Sequence, residues 1–326
     1  MTAVGNLDRL IDTRQLARHW EDRPFVCAGL GALDGVFGLE VAERLLHSAA
    51  LPAASVRLFR DGTELPARGH TRRRERGGAA REGLVDAAAV EREIAAGATL
   101  VMEELRTHHP EIADLCGEVT DETGLGTYCA AFLTPPGARG VAPHYDTASV
   151  LLRQVHGSKR WRIGSPLQRW PARDWSAAHN TPVDEIMDVV LHEGECLYLP
   201  RGFFHVGDAT DEASLHLSIA LRPITWGALI AAMAAEGQSE EPLRESLPYA
   251  FHRLGRQEFD RRLADRAAPL VARLTADGVP SASRGTVDRL RGAHPRTPPP
   301  RGALRAALTS RRPDRPQDRI AHEEAP

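Results

Sequence analysis

The sequence is short of several things at once. It holds four cysteines, Cys27, Cys116, Cys129 and Cys196, far apart and without a C-x-x-C pair. That spacing excludes a zinc knuckle and a dithiol redox centre and points to ordinary reduced thiols. No stretch approaches the ~20 consecutive apolar residues that cross a bilayer, and Met1–Gln15 has no basic start followed by an apolar run. A cytoplasmic protein with no membrane partner is expected. The formal charge over 326 residues is only -3, so there is no general attraction to nucleic acid, and none is expected to bind directly. Aromatic residues make up 5%, against 28 glycines and 23 prolines, which promises many turns; 42% hydrophobic residues still suffice for a core.

Lysine is the scarcest of all. Of 41 basic residues every one is arginine except Lys159. A bias towards arginine replaces lysine wherever either cation serves, so the survivor marks a position where a compact point charge on a flexible stem differs from a planar fork.

Along the chain, the first 126 residues read as mixed helix and strand. Apolar residues at helical spacing predict helices in Val41–Leu46 and Val90–Leu105, with a strand and turn in Ser55–Leu65 around Asp61-Gly62. Ala67–Gly83 carries six arginines without apolar periodicity and reads as a solvated loop, or as an arm for an acidic partner. From Thr127 to Pro223 short apolar runs are broken by Gly, Pro, Asn and Asp, the texture of an antiparallel barrel or jelly roll. Tyr145–Val155 and Lys159–Ile163 flank His156-Gly157-Ser158 and predict a hairpin, and Glu195–Leu199 and Ser214–Leu221 predict two further strands. Helical spacing returns in Trp226–Ala235, Leu243–Leu254 and Glu258–Leu274, and residues 277–326, rich in arginine and proline, predict a disordered tail.

Chemistry concentrates in the β region. His144 and Asp146 stand two apart, so on a strand both side chains share one face. His205 follows the turn Leu199-Pro200-Arg201-Gly202 and is placed to face them. Two histidines and a carboxylate on one side of an ion leave its other positions open, the arrangement of non-haem Fe(II) oxygenases, although zinc also accepts such donors. Lys159 lies 13 residues after Asp146. Inside a barrel its ammonium needs an anion, which the far end of a dicarboxylate would supply. In Ser214–Leu221 strict alternation sets His216, Ser218 and Ala220 on the polar face, where His216 is either a co-substrate contact or a hydrogen-bonded core histidine.

Leu133-Thr134-Pro135-Pro136-Gly137, Gly140–Asp146, Gly157-Ser158-Lys159-Arg160-Trp161-Arg162 and Leu199–Gly202 with His205 resemble, in order and spacing, the JmjC-domain, cupin-fold 2-oxoglutarate oxygenases, and specifically their ribosomal-oxygenase branch. His19-Trp20-Glu21-Asp22-Arg23-Pro24 and Thr225-Trp226-Gly227 are weaker echoes. The resemblance implies an α+β chain with a double-stranded β-helix core, an N-terminal α/β elaboration within residues 1–226, a helical region at 227–276 that joins two copies in a homodimer, and the tail. It implies His144, Asp146 and His205 as iron ligands and Lys159 as the partner of the distal carboxylate of 2-oxoglutarate. Thr134, His216 and Ser218 join it as candidate co-substrate contacts.

The cofactor set is then Fe(II), 2-oxoglutarate and O2, and the reaction is hydroxylation of a protein or peptide side chain with release of succinate and carbon dioxide. Two departures stand out. Ala130 and Phe132 occupy positions where that branch carries asparagine and tyrosine, and its winged-helix domain is expected to be replaced by the proline-arginine tail. They keep two other readings open: the same chemistry on a peptide precursor or small metabolite, and a catalytically silent cupin that binds a partner.

Overall fold

The computed structural model describes residues 6–275 apart from 29, 31, 32, 34, 49, 50, 77, 78, 179, 180, 238–240, 245, 246 and 249–252. The expected tail at 277–326 lies outside the described residues.

The N-terminal part runs α1 (Thr13–His19), β1 (Phe25–Cys27), α2 (Leu39–Leu46), β2 (Val56–Arg60), β3 (Thr63–Glu64), β4 (Thr71–Arg76), β5 (Ala79–Val85), α3 (Ala87–Ala95), β6 (Thr99–Met102), α4 (Leu105–His108) and α5 (Pro110–Thr123). Local chemistry sets the helix ends. Asp12 caps α1 by accepting from the backbone N–H of Arg14 and Gln15 at 2.9 and 3.0 Å, and Asp86 caps α3 through Ala89 at 3.1 Å. Pro110 opens α5, where its missing N–H costs nothing, and Gly124 closes it at φ 74°.

The β region follows as β7 (Gly126–Thr134), β8 (His144–Tyr145), β9 (Ser149–His156), β10 (Ser158–Pro166), β11 (Trp175–Ser176), β12 (Glu185–His192), β13 (Cys196–Leu199), β14 (Phe203–Ala209) and β15 (Ser214–Arg222), and two helices end it, α6 (Trp226–Gly237) and α7 (Arg256–Thr275). The strands form two antiparallel sheets, one in the order β1-β13-β9-β15-β7-β6-β2-β3 and one in the order β11-β8-β14-β10-β12. Val150 and Leu152 of β9, Trp161 and Ile163 of β10, Leu191 of β12 and Leu197 and Leu199 of β13 share one buried cluster, which joins the two sheets face to face. The N-terminal strands β1, β2, β3 and β6 extend the larger sheet, and α5 covers β7 through Ile112, Leu115, Cys116 and Val119.

Four expectations are corrected. Val90–Leu105 is not one helix: α3 ends at Ala95, Gly97 turns the chain at φ 89°, and Thr99-Leu100-Val101-Met102 is the strand β6, buried on both faces. A short apolar run covered from both sides carries no period, so it merges with the helix before it. Ala67–Gly83 is not a loop, because β4 and β5 pair there in their own two-stranded sheet, with Arg76 opposite Ala79. The Gly77-Gly78 dipeptide between two short runs was the available hairpin signal. His156-Gly157-Ser158 does not close a hairpin: β9 belongs to the larger sheet and β10 to the smaller, and Gly157 at φ 62° is the corner between them. Its Cβ would stand 1.9 Å from the carbonyl oxygen of Ala213, so only glycine fits that corner. Finally, the helix expected over Leu243–Leu254 is not continuous: residues 245, 246 and 249–252 lie outside the described residues, Glu241–Arg244 is a 3-10 turn, and Leu247-Pro248 has no regular structure.

Candidate metal centre

Three neighbouring strands of the smaller sheet, β8, β14 and β10, supply the site. His205 is the direct cross-strand partner of both His144 and Ile163, and Lys159 is the partner of Ala209 four residues further along β14. Opposed residues of antiparallel strands share a face, so His144, His205, Trp161 and Lys159 all project from one side of this sheet.

The two imidazoles are oriented alike. Nδ1 of His144 donates to the carbonyl of Ala142 at 2.8 Å, and Nδ1 of His205 donates to the carbonyl of Phe203 at 2.9 Å. A carbonyl only accepts, so both rings carry their proton on Nδ1 and turn the lone pair of Nε2 inward. Asp146 meets both, with Oδ1 3.8 Å from Nε2 of His144 and Oδ2 3.8 Å from Nε2 of His205. One donor atom from each of the three lies within 4.8 Å of the others.

Electrostatics agrees with a cation site. Burial holds His205 well below its usual pKa and therefore neutral, and burial also raises the Asp146 carboxyl. Two neutral imidazole nitrogens and one carboxylate on one side are a donor set that suits Fe(II) with open positions. These residues fit the metal that the sequence suggested.

Lys159 is 2% exposed. Its ammonium donates to Oγ1 of Thr134 at 3.1 Å and stands 5.5 Å from the centroid of the Trp161 ring. It makes no ion pair among the described residues; Asp208, whose charge it feels, is held by Arg162 at 2.9 Å. Burial pushes the amine down to about 8. Gly207 makes room for it, because a Cβ there would stand 2.9 Å from Cε of Lys159 and 2.8 Å from the Trp161 ring.

The triad and Lys159 open into one cavity of about 1340 Å³. Its opposite wall is the inner face of the larger sheet, where register sets Phe132 beside His216 and Ala130 beside Ser218. His216 is fully buried, stacked on Phe132 at 4.9 Å and edge-on to Trp161 at 5.3 Å. Its Nδ1 has no hydrogen-bond partner among the described residues. Ser218 lines the cavity, whereas Thr134 stands behind Lys159 and reaches the cavity through it. At the mouth, Glu103 is held by Arg57 at 3.3 Å and by the hydroxyl of Tyr128, and burial raises its carboxyl.

All seven sequence-predicted residues thus gather around one space. Trp161, Gly207, Glu103 and Tyr128 were missed. A glycine inside a strand pattern signals a close approach and pointed to Gly207, while the mouth had no local signal because its partners come from β2, β7 and the residue after β6.

Residues 103–229 match the JmjC domain family. This segment is a JmjC domain. Ribosomal oxygenase 1 of Danio rerio is 38% identical over 131 residues, 37% of this chain and 24% of that protein. The bifunctional lysine-specific demethylase and histidyl-hydroxylase NO66 of Dictyostelium discoideum is 34% identical over 154 residues, 44% of this chain and 30% of that protein. The chain therefore spans about a quarter to a third of the length of these relatives. Among solved structures, Escherichia coli ribosomal oxygenase YcfD in complex with cobalt and 2-oxoglutarate shares the fold, with a TM-score of 0.52 at 18% identity over 85% of this chain and 71% of that one. The JmjC match covers β7 to β15 and thus every residue of the triad, together with Lys159.

Proposed function

We propose that this chain is an Fe(II)- and 2-oxoglutarate-dependent dioxygenase that hydroxylates a side chain of a protein or peptide, with a ribosomal protein as the first substrate to try. One observation carries the reading: two imidazole nitrogens and a carboxylate face one point of a cavity in which a buried ammonium has no ion-pair partner among the described residues. A dicarboxylate answers both halves, with its oxo-acid end at the metal and its distal carboxylate on Lys159 and, through it, Thr134.

His144, Asp146 and His205 would hold the iron, which when bound supplies the oxidising chemistry with O2. The protein contributes the rest. His216 and Ser218 form the wall beside the co-substrate, Trp161 separates Lys159 from His205, and the Glu103–Tyr128 mouth leaves room for a substrate side chain. The names of the relatives from Danio and Dictyostelium, an oxygenase of ribosomes and a histidyl-hydroxylase, support a protein substrate. The reading includes a homodimer joined through α6 and α7, supported by Trp226, Ile230 and Leu263 being 80%, 54% and 57% exposed on those helices.

The test is turnover of 2-oxoglutarate to succinate by the iron-loaded protein, followed by peptide mass spectrometry of a ribosomal protein fraction. The expected result is succinate and a peptide heavier by one oxygen. No succinate from iron-loaded protein would sink the oxygenase reading, and oxygen gained only by a small product would move the substrate.

A further inference from the structure

The triad explains the β region but leaves His19-Trp20-Glu21-Asp22-Arg23-Pro24 without a role. In the structure this segment is docked on the turn between β13 and β14, which bonds the backbone of Asp146 and leads into His205. Glu21, at φ 52°, is one of four non-glycine residues with positive φ among those described. Such a backbone costs on the order of 1 kcal/mol and persists only where its surroundings hold it.

What holds it is specific. The backbone N–H of Glu21 donates to the hydroxyl of Tyr198 at 3.0 Å, and Trp20 stacks on the Tyr198 ring at 6.0 Å. The Glu21 carboxylate then takes both prongs of Arg201, Nε at 2.6 Å and Nη2 at 3.3 Å, with side chains only 18% and 9% exposed. This is the two-pronged geometry that fixes a guanidinium in direction as well as in charge.

Arg201 sits at the centre of the turn Pro200–Phe203. Its own N–H donates to Oγ of Ser149 at 3.2 Å, and the next N–H, of Gly202, donates to the carbonyl of Asp146 at 3.0 Å. One residue further, the carbonyl of Phe203 holds Nδ1 of His205 at 2.9 Å. Asp146 and His205 are therefore both set by the turn that Glu21 clamps. Arg201 is also among the residues that line the cavity of the triad. With its carboxylate partner removed, the largely buried guanidinium would lose the contact that fixes its direction, and the turn would lose its anchor to the N-terminal segment.

We propose that Glu21 is a positioning residue for the metal centre: by clamping Arg201 it fixes the Pro200–Phe203 turn, whose backbone holds the carbonyl of Asp146 and the ring of His205. The proposal rests on the metal reading given under Proposed function. Changes in groups that orient metal ligands typically cost about 10- to 100-fold in affinity.

The experiment is a cobalt(II) titration of the full chain, followed by visible absorption, beside thermal melting of the metal-free protein. Glu21→Gln keeps the shape and removes the charge. It is expected to weaken cobalt binding by about tenfold or more, and Glu21→Arg combined with Arg201→Glu is expected to recover part of the loss. A purely structural ion pair would lower the melting temperature and leave the cobalt affinity of the folded protein as in the parent, which would overturn the proposal. If Glu21→Gln does not fold, Glu21→Asp, which draws the carboxylate back by one methylene, is read in the same way. Asp146→Ala is the control: if cobalt binds it as tightly as the parent, the metal reading itself fails, and this inference with it.

Discussion

His144 and His205 are direct cross-strand partners, their ring centroids 4.2 Å apart, and each is pinned through Nδ1 to the carbonyl two residues before it. The same local hydrogen bond on two adjacent strands turns both Nε2 atoms towards Asp146. The arrangement predicts that the three side chains act as a unit. Asp146→Ala or His205→Ala should lower cobalt affinity by more than roughly a hundredfold, beyond the usual effect of an outer-shell change. Equilibrium dialysis with metal analysis checks this, and unaltered metal occupancy in Asp146→Ala would refute the ligand assignment.

Lys159→Ala should separate co-substrate binding from metal binding. The ammonium lies in the cavity wall, but its contacts are with Thr134 and Trp161 and not with the triad. The 2-oxoglutarate concentration for half-maximal turnover should rise about 10- to 100-fold, the weight of a charge-assisted hydrogen bond, while cobalt affinity stays as in the parent. Loss of both together would place Lys159 in the metal site instead.

The depressed amine also makes two pH predictions. Folded Lys159 titrates at about 8, against an ordinary value of 10.5. Below about 8 the ammonium is present and can hold a carboxylate; as pH rises through that value 2-oxoglutarate affinity should fall. Stability moves the other way. Between the two values the unfolded chain binds the proton and the folded chain does not, so this residue's contribution to stability rises with pH over that window, by about 3 kcal/mol at most. Urea midpoints at pH 7.5 and 9.5 for the parent and Lys159→Met read out the difference, and equal pH slopes in the two proteins would contradict it.

Gly207→Ala should damage the lysine without touching it in sequence. The new methyl would meet the Trp161 ring at 2.8 Å and Cε of Lys159 at 2.9 Å. Overpacking of this kind costs about 1–3 kcal/mol. A lower melting temperature accompanied by weaker 2-oxoglutarate binding is expected; a melting temperature equal to the parent's would show that the strand yields and that Gly207 is no constraint.

The sequence was legible where a residue's role is set by its near neighbours. His144-x-Asp146 was visible as a pair two apart, although β8 ends at Tyr145 and Asp146 stands just beyond it, and Ser214–Leu221 declared its two faces by alternation. It was illegible where the partner lies far along the chain. Val90–Leu105 hid the strand β6 because a strand covered on both sides shows no period, and Glu21 gave no sign that its counterpart was Arg201, since the two meet 180 positions apart. Lys159 stands between these cases. Its rarity marked it, but the hairpin expected to bring it to Asp146 is a corner between two sheets.

By itself, the sequence determined the donor types, their spacing on the strands and the alternating burial that builds an antiparallel core, because these follow from backbone geometry and from the composition of short segments. Only the tertiary structure decided that β8, β14 and β10 lie side by side, that Lys159 is buried with no ion pair among the described residues, and that the N-terminal segment clamps the turn between Asp146 and His205. Those are pairings between distant segments, selected by how well two faces pack and how completely buried polar groups are satisfied, and no local pattern of residues encodes that choice.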